Sequence, residues 1–247
     1  SHINQLRGDG GGTVTGRLSM AQPNLQQVPA RHPVTGPMVR GLFLPEEGEL
    51  WAANDFSSQE PRLLVHYASL GLMYGMGKRK LSEQLDLSLE EASELIQTFH
   101  DRVPFLRGTV HSVQKKIEHP ASGGAIRTLL GRKCRFPLWE PQQWGINKAL
   151  PYEEAYAKYG ARIKRAMTYK GLNRLIQGSA ADQTKAAMLA VHKAGYNLML
   201  QVHDEVALSV ETREEAERAA QLMREAVQLD VPSKVDVEIG ESWGSAE

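Results

Sequence analysis

The chain has 247 residues, with 29 Lys+Arg against 29 Asp+Glu, so its formal net charge at pH 7 is zero. An apolar share of 41% allows a sizeable core and excludes wholesale disorder. The single cysteine, Cys134, excludes an internal disulfide framework and a Cys-rich zinc site.

No stretch approaches the ~18 apolar residues of a membrane span, and Ser1–Gln5 has no apolar core of the signal-peptide kind. The expectation is a soluble, intracellular protein with no membrane partner. Any phosphate binding has to come from local clusters of cations, because the global field is neutral.

Residues 1–36, rich in Gly, Pro, Gln and Asn, read as an extended loop. Val39–Leu44 and Leu50–Ala53, parted by Pro45-Glu46-Glu47-Gly48, read as strand, turn and strand. The second strand runs into Asn54-Asp55-Phe56, and Arg62–Ala68 then has helical spacing. Ser88 with Glu91 forms a capping box before another helix. A further helix starts at Pro104 and ends near Pro120.

Gly123-Gly124 is a turn, Ile126–Leu130 a short strand and residues 131–135 a basic turn. Residues 137–151 read as a loop or insertion, followed by helices from Tyr152 and from about Thr168 to Ala194. Leu198–Val202 and Val206–Val210 make a hairpin with His203-Asp204-Glu205 at its tip. Thr212 with Glu215 caps a helix that turns Ala216, Ala219, Leu222, Met223, Ala226 and Val227 inward, and Val235–Ile239 is a last strand. The order implies an α+β fold: an antiparallel sheet backed by helices, with a mostly helical insertion between about 69 and 170.

Asp55 and Asp204 each follow an apolar run and end a strand. A buried carboxylate is costly without a neutralising partner, and two side by side raise each other's cost. Hard oxygen ligands without a His/Cys cluster favour magnesium or manganese. Two such ions about 4 Å apart can activate a hydroxyl and stabilise the leaving oxygen of a displacement at phosphorus. Two ordinary turn residues at strand ends remain the alternative for the pair taken alone.

The surrounding residues resemble a known family. Asp55-Phe56-Ser57-Ser58-Gln59-Glu60-Pro61-Arg62 is similar to motif A of family A DNA polymerases, the DNA polymerase I class, and Gln201-Val202-His203-Asp204-Glu205 to motif C. Thr15-Gly16-Arg17-Leu18-Ser19 with Pro23-Asn24-Leu25-Gln26 resembles the family's segment upstream of motif A. Leu70–Gly77 resembles the end of motif B, and Asn173–Asp182 the helix before motif C. Leu138-Trp139-Glu140-Pro141 and Ala149–Ala155 look more phage-like than bacterial.

The resemblance implies a palm in two parts, 1–68 and 171–247, with partial fingers at 69–170. It implies a primer–template DNA partner, deoxynucleoside triphosphates as substrates and two Mg2+ ions, with Mn2+ as substitute, held by Asp55, Asp204 and the Phe56 carbonyl. It implies a cytoplasmic enzyme, in the host cytoplasm if phage-encoded. Glu205 would stand near the primer end, or be a solvated tip acid. Glu60 would fill the space of a ribose 2′-hydroxyl, and Leu70 and Tyr74 would meet the nucleotide and the templating base pair.

Arg17, Asn24, Gln26, Asn173, Gln177 and His203 would touch the minor groove or primer, with Asn and Gln as plain caps the alternative. Correct base pairs present acceptors at common minor-groove positions, so donors there can test pair geometry without reading sequence. Arg132, Lys133 and Arg135 would meet backbone phosphates or form a solvated turn.

Motif B is incomplete. Its triphosphate-gripping Arg and Lys would fall on Arg62 and His66, which already belong to the motif A helix. The expectation is a mobile segment between Ala68 and Ser69; a true deletion would instead leave these two bonded. Leu70 stands where bacterial members carry Phe or Tyr, which predicts altered analogue selection. The leading reading is a DNA polymerase core. A degenerate remnant that binds primer–template without synthesis is one alternative. A single-subunit RNA polymerase or reverse transcriptase is another, against which Glu60 argues.

Overall fold

The computed structural model describes residues 1–5, 12–29, 32–69, 88, 90, 105–143 and 148–246. These fall into two compact units, Ser1–Leu63 with Gln177–Glu247, and Leu64–Ile176. The N-terminal elements are strands β1 (His2–Asn4) and β2 (Ser19–Ala21), helix α1 (Thr35–Arg40), strand β3 (Leu50–Phe56) and helix α2 (Gln59–Ser69). Helix α3 (Phe105–Glu118), strands β4 (Ala125–Arg127), β5 (Lys133–Arg135) and β6 (Trp139–Pro141), helix α4 (Tyr152–Tyr159) and strand β7 (Ile163–Arg165) follow. Helix α5 (Gly171–Lys193), strands β8 (Asn197–Val202) and β9 (Glu205–Val210), helix α6 (Arg213–Glu225) and strand β10 (Val235–Gly240) end the chain.

The first unit is built on a four-stranded antiparallel sheet in the order β10-β3-β9-β8. Side chains alternate across a strand, and β3 uses both faces. Ala52 and Phe56 join Val206, Leu208, Val210 and Val235 against Ala187 and Val191 of α5 and Ala216, Ala219, Ala220 and Met223 of α6. Asn54 is fully buried on that face and donates its amide to the Ala216 carbonyl at 3.2 Å. On the other face Trp51 and Ala53 pack with Val202, Ala207 and Trp243.

Helix α6 begins as its spacing predicts, with Thr212 Oγ1 accepting from the Glu215 amide at 3.3 Å. The Glu215 carboxylate reaches back to the Glu211 amide at 2.9 Å, one residue beyond the usual capping-box partner.

Two expectations are corrected. Val39–Leu44 is not a strand: Val39 and Arg40 end α1, whose first turn tolerates Pro37. Leu42 and Leu44 are exposed, so this run has no sheet face to bury. The strand expected at Ile126–Leu130 stops at Arg127, and Thr128–Arg132 turns back so that Lys133–Arg135 pairs with it as β5. Ala68 and Ser69 are consecutive residues of α2, which holds no breaker after Pro61.

The second unit carries short strands beside its helices. Its described residues include α3, α4 and two small antiparallel pairs, β4–β5 and β6–β7. Gly171 lies so close to α3 that a Cβ there would sit 2.5 Å from Ile117 and 2.8 Å from Val113. The β6–β7 pair is braced by Arg165 over the Trp139 ring at 4.6 Å and by the Tyr152 ring edge at 5.1 Å. The capping box at Ser88 and Glu91, Pro104, Trp144, Leu70 and Tyr74 lie at least in part outside the described residues.

Candidate active site

Strand register assembles the site. Asp55 pairs across the sheet with Glu205 of β9 on one side and with Asp236 of β10 on the other. Directly opposed residues share a face, so three acids stand in one row across three adjacent strands. Asp204 occupies the two-residue tip between β8 and β9, beside that row. The Phe56 amide donates to the Asp204 carbonyl at 3.4 Å, which ties the end of β3 to the hairpin tip. His203 takes a left-handed φ of 56° at the tip, and the buried Gln201 amide clasps its carbonyl at 2.6 Å.

The electrostatics follow from this crowding. Partial burial, then the charges of Asp204, Glu205, Asp236 and Glu238, push the Asp55 carboxyl up to about 7 from an ordinary 3.8. Asp55 is solvent-accessible, so this is a crowded group at a rim and not a core acid. Burial also raises Glu205, against the lowering effects of the Arg40 cation and a hydrogen bond with Trp243. Asp236 moves the other way because Lys234 and Ser57 hydrogen-bond its ionised form.

The site is therefore short of positive charge, and its donors are hard oxygens. Among the described residues no group of three or more His, Cys, Asp or Glu side chains is arranged to hold a metal ion. Asp55 and Asp204 offer two carboxylates, which suits Mg2+ that keeps water and phosphate ligands.

The other predicted residues fall into distinct settings. The Arg17 guanidinium is ion-paired with the Glu60 carboxylate, both about one-third exposed, at 34% and 35%. Asn24 accepts from the Gln26 amide and caps a single helical turn over Leu25–Gln27. The Gln26 side chain donates to the Leu18 carbonyl and to Gln201 Oε1, each at 3.3 Å. These two residues brace the site from within. Asn173 is exposed on α5, and Gln177 lies one turn further along the same helix, half-buried.

Arg132 sits in the turn between β4 and β5 and is half-buried. On that hairpin Ile126 and Cys134 are buried, whereas Arg127, Lys133 and Arg135 alternate with them and are exposed. Arg127 therefore belongs to the same basic face as Lys133 and Arg135.

Sequence reading also missed Gln59, Gln201, Arg40 and Trp243. Gln59 is buried and donates to Thr184 Oγ1 at 3.0 Å and the Ala180 carbonyl at 3.3 Å, which fixes the start of the helix carrying Glu60. Trp243 stacks on Trp51 with centroids 6.2 Å apart, takes Phe43 edge-on at 5.5 Å, and lies under the Arg40 guanidinium at 4.3 Å. Its amide donates to the Phe43 carbonyl at 3.0 Å. The signal for it was a lone Trp between glycines just past the last strand.

The family model for DNA polymerase family A matches residues 9–70 and 68–245. The two pieces meet at 68–70, where the sequence departs from the motif pattern. The chain is 35% identical to the DNA-directed DNA polymerase of Pseudomonas phage M6, over an alignment of 331 residues that covers 98% of this chain and 46% of the relative. It is 30% identical to the thermostable DNA polymerase I of Thermus aquaticus, covering 95% of this chain and 32% of that protein. Among solved structures, the POL domain of Pol1 from M. smegmatis, in complex with DNA primer-template and dNTP, aligns with a TM-score of 0.75. The identity is 29%, over 99% of this chain and 48% of that one. The chain thus spans less than half the length of each of these relatives, and it belongs to DNA polymerase family A.

Proposed function

We propose that the chain is the catalytic core of a template-directed DNA polymerase that adds deoxynucleotides to a primer 3′ end by two-metal-ion nucleotidyl transfer. The observation that carries this reading is the acid row: Asp55 and Glu205 paired across β3 and β9, with Asp204 at the adjoining tip. Residues 1–68 and 171–247 would form the palm and 69–170 partial fingers. The M. smegmatis relative was solved with primer-template and dNTP, which supports those partners for this chain. The enzyme would work in the cytoplasm, that of the host if it is phage-borne.

Asp55, Asp204 and the Phe56 carbonyl would hold the Mg2+ pair, for which Mn2+ can substitute. When bound, such ions lower the pKa of the attacking 3′-hydroxyl and neutralise charge on the leaving oxygen. The chain's own residues do the positioning. Glu60, held by Arg17, would occupy the space of a 2′-hydroxyl and exclude ribonucleotides. His203, Asn173 and Gln177 would donate to the duplex at the primer end, and Glu205 would stand beside the reacting hydroxyl. Leu70 and Tyr74 would meet the nucleotide and its template base.

Primer extension on a DNA template, with deoxy- and ribonucleotides supplied separately, tests the reading. Deoxynucleotide addition that requires Mg2+ or Mn2+ is expected, and Glu60→Ala should admit ribonucleotides. Preferential ribonucleotide addition by the unaltered chain would overturn the assignment. Primer–template binding with no addition at all would leave a binding protein in place of an enzyme.

A further inference from the structure

Lys185 of α5 has no role in the motifs or in the acid row. Its Nζ donates to the Gly16 carbonyl at 2.7 Å in a part-buried setting, across 169 residues of chain. Gly16 has a φ of 80°, a conformation that a Cβ would strain. Its amide reaches the Thr13 carbonyl at 3.5 Å, and Thr13 Oγ1 donates to the Arg17 carbonyl at 2.9 Å. The lysine therefore holds a short closed turn by the carbonyl immediately before Arg17. Arg17 in turn delivers its guanidinium to Glu60.

The other half of that ion pair is held from the same place. Glu60 follows Gln59, whose amide is fixed by Thr184 Oγ1 at 3.0 Å. Two adjacent residues of α5, Thr184 and Lys185, thus anchor the two segments that bring Glu60 and Arg17 together. Arg17, Gln59, Thr184 and Lys185 line one pocket, with Gln201 and His203 of the hairpin on its wall.

We propose that Lys185 is a positioning residue: its ammonium fixes the Thr13–Arg17 turn and thereby sets the Arg17–Glu60 pair on the nucleotide side of the site. The consequence for sugar selection rests on the polymerase reading, whereas the consequence for the turn does not. Losing the ammonium frees the turn while leaving Glu60 on a helix still pinned by Gln59. Glu60 then loses its partner's fixed position, and its carboxylate no longer fills one volume.

Lys185→Met and Lys185→Arg, compared with the unaltered chain, test this by two readouts. Hydrogen exchange over residues 13–17 is expected to quicken about tenfold in Lys185→Met, the scale of one lost charge-assisted hydrogen bond. It should return toward the original rate in Lys185→Arg, which keeps a cationic donor. In primer extension, Lys185→Met should lose about tenfold in discrimination between deoxy- and ribonucleotides, with KM rising more than kcat falls. The same substitution in a Glu60→Ala background should change discrimination no further.

Gly16→Ala, which disturbs the turn without touching α5, should reproduce the loss and serves if Lys185→Met does not fold. Unchanged exchange over 13–17 in Lys185→Met would overturn the proposal, as would discrimination losses that multiply independently with Glu60→Ala. If the unaltered chain extends no primer, the polymerase reading fails, and the exchange comparison still decides the role of Lys185.

Discussion

The acid end of the β3–β9 pair and the β4–β5 hairpin are opposites. In the first unit Asp55, Glu205 and Asp236 crowd into one row, and the nearby polar side chains are tied to one another: Arg17 to Glu60, Gln26 to Gln201, Gln59 to Thr184. In the second unit Arg127, Lys133 and Arg135 stand exposed on one face of a two-stranded hairpin whose other face is buried. A net charge of zero conceals this segregation. The first arrangement concentrates negative charge at one end of the sheet, and the second presents positive charge on an exposed strand face. Global charge is thus a poor guide to local field when a chain sorts its charges by strand face.

The largest expected effect outside the carboxylates concerns what supports the acid row. Trp243 is 3% exposed and packs on Trp51, Phe43 and Arg40. Trp243→Ala should cost about 3–5 kcal/mol of stability by chemical denaturation. Trp243→Phe keeps an aromatic ring but loses the indole N–H that lowers the Glu205 pKa, so it should fold and show reduced primer extension. Full extension by Trp243→Phe would remove Trp243 from the account of the site.

A smaller effect is expected from the hairpin. Replacing Arg127, Lys133 and Arg135 together by Gln should weaken primer–template binding at moderate salt and flatten the dependence of log Kd on log salt by roughly one unit or more. Stability should change little, because exposed charges contribute about 0–1 kcal/mol each. An unchanged salt slope would show that this face does not meet phosphates and would dissolve the contrast between the two regions.

The smallest effect is on stability against pH. The fold holds the Asp55 proton up to about 7, against an ordinary 3.8. The folded state then binds more protons between those values, and stability falls as pH rises through that window. Asp55→Asn should stabilise the metal-free protein at pH 8 by on the order of 1 kcal/mol, a figure reduced for solvent screening at an accessible site, and should change little near pH 3. Magnesium should narrow the difference at pH 8, since it neutralises the same charge. A variant less stable than the original at pH 8 without metal would contradict the crowding argument.

Much of this was legible in the chain. The end of β3, the hairpin tip at His203-Asp204 and the buried face of α6 follow from apolar period and turn chemistry, which are local signals. The carboxylates and Glu60 were legible as motifs. Val39–Leu44 misled because an apolar run of that length fits a strand as well as the tail of a short helix, and only the exposure of Leu42 and Leu44 decides. For Asn24 and Gln26 the sequence leaves a donor to DNA and a plain cap both open; in the described structure Asn24 caps a turn and the Gln26 side-chain amide donates to Leu18 and Gln201. Lys185 was invisible for a different reason: its partner carbonyl is 169 residues away, and backbone acceptors leave no mark on side-chain sequence.

The proposed function rests on Asp55 and Asp204 acting together as the metal-holding pair. Single-turnover primer extension by the unaltered protein, Asp55→Asn and Asp204→Asn, with Mg2+ and with chelator, tests it most directly. Extension that chelator abolishes is expected, with a loss of about a thousandfold or more in each variant, the scale of removing a principal transition-state stabiliser, and with folding and primer–template binding retained. Extension by Asp204→Asn at the rate of the unaltered protein would contradict it.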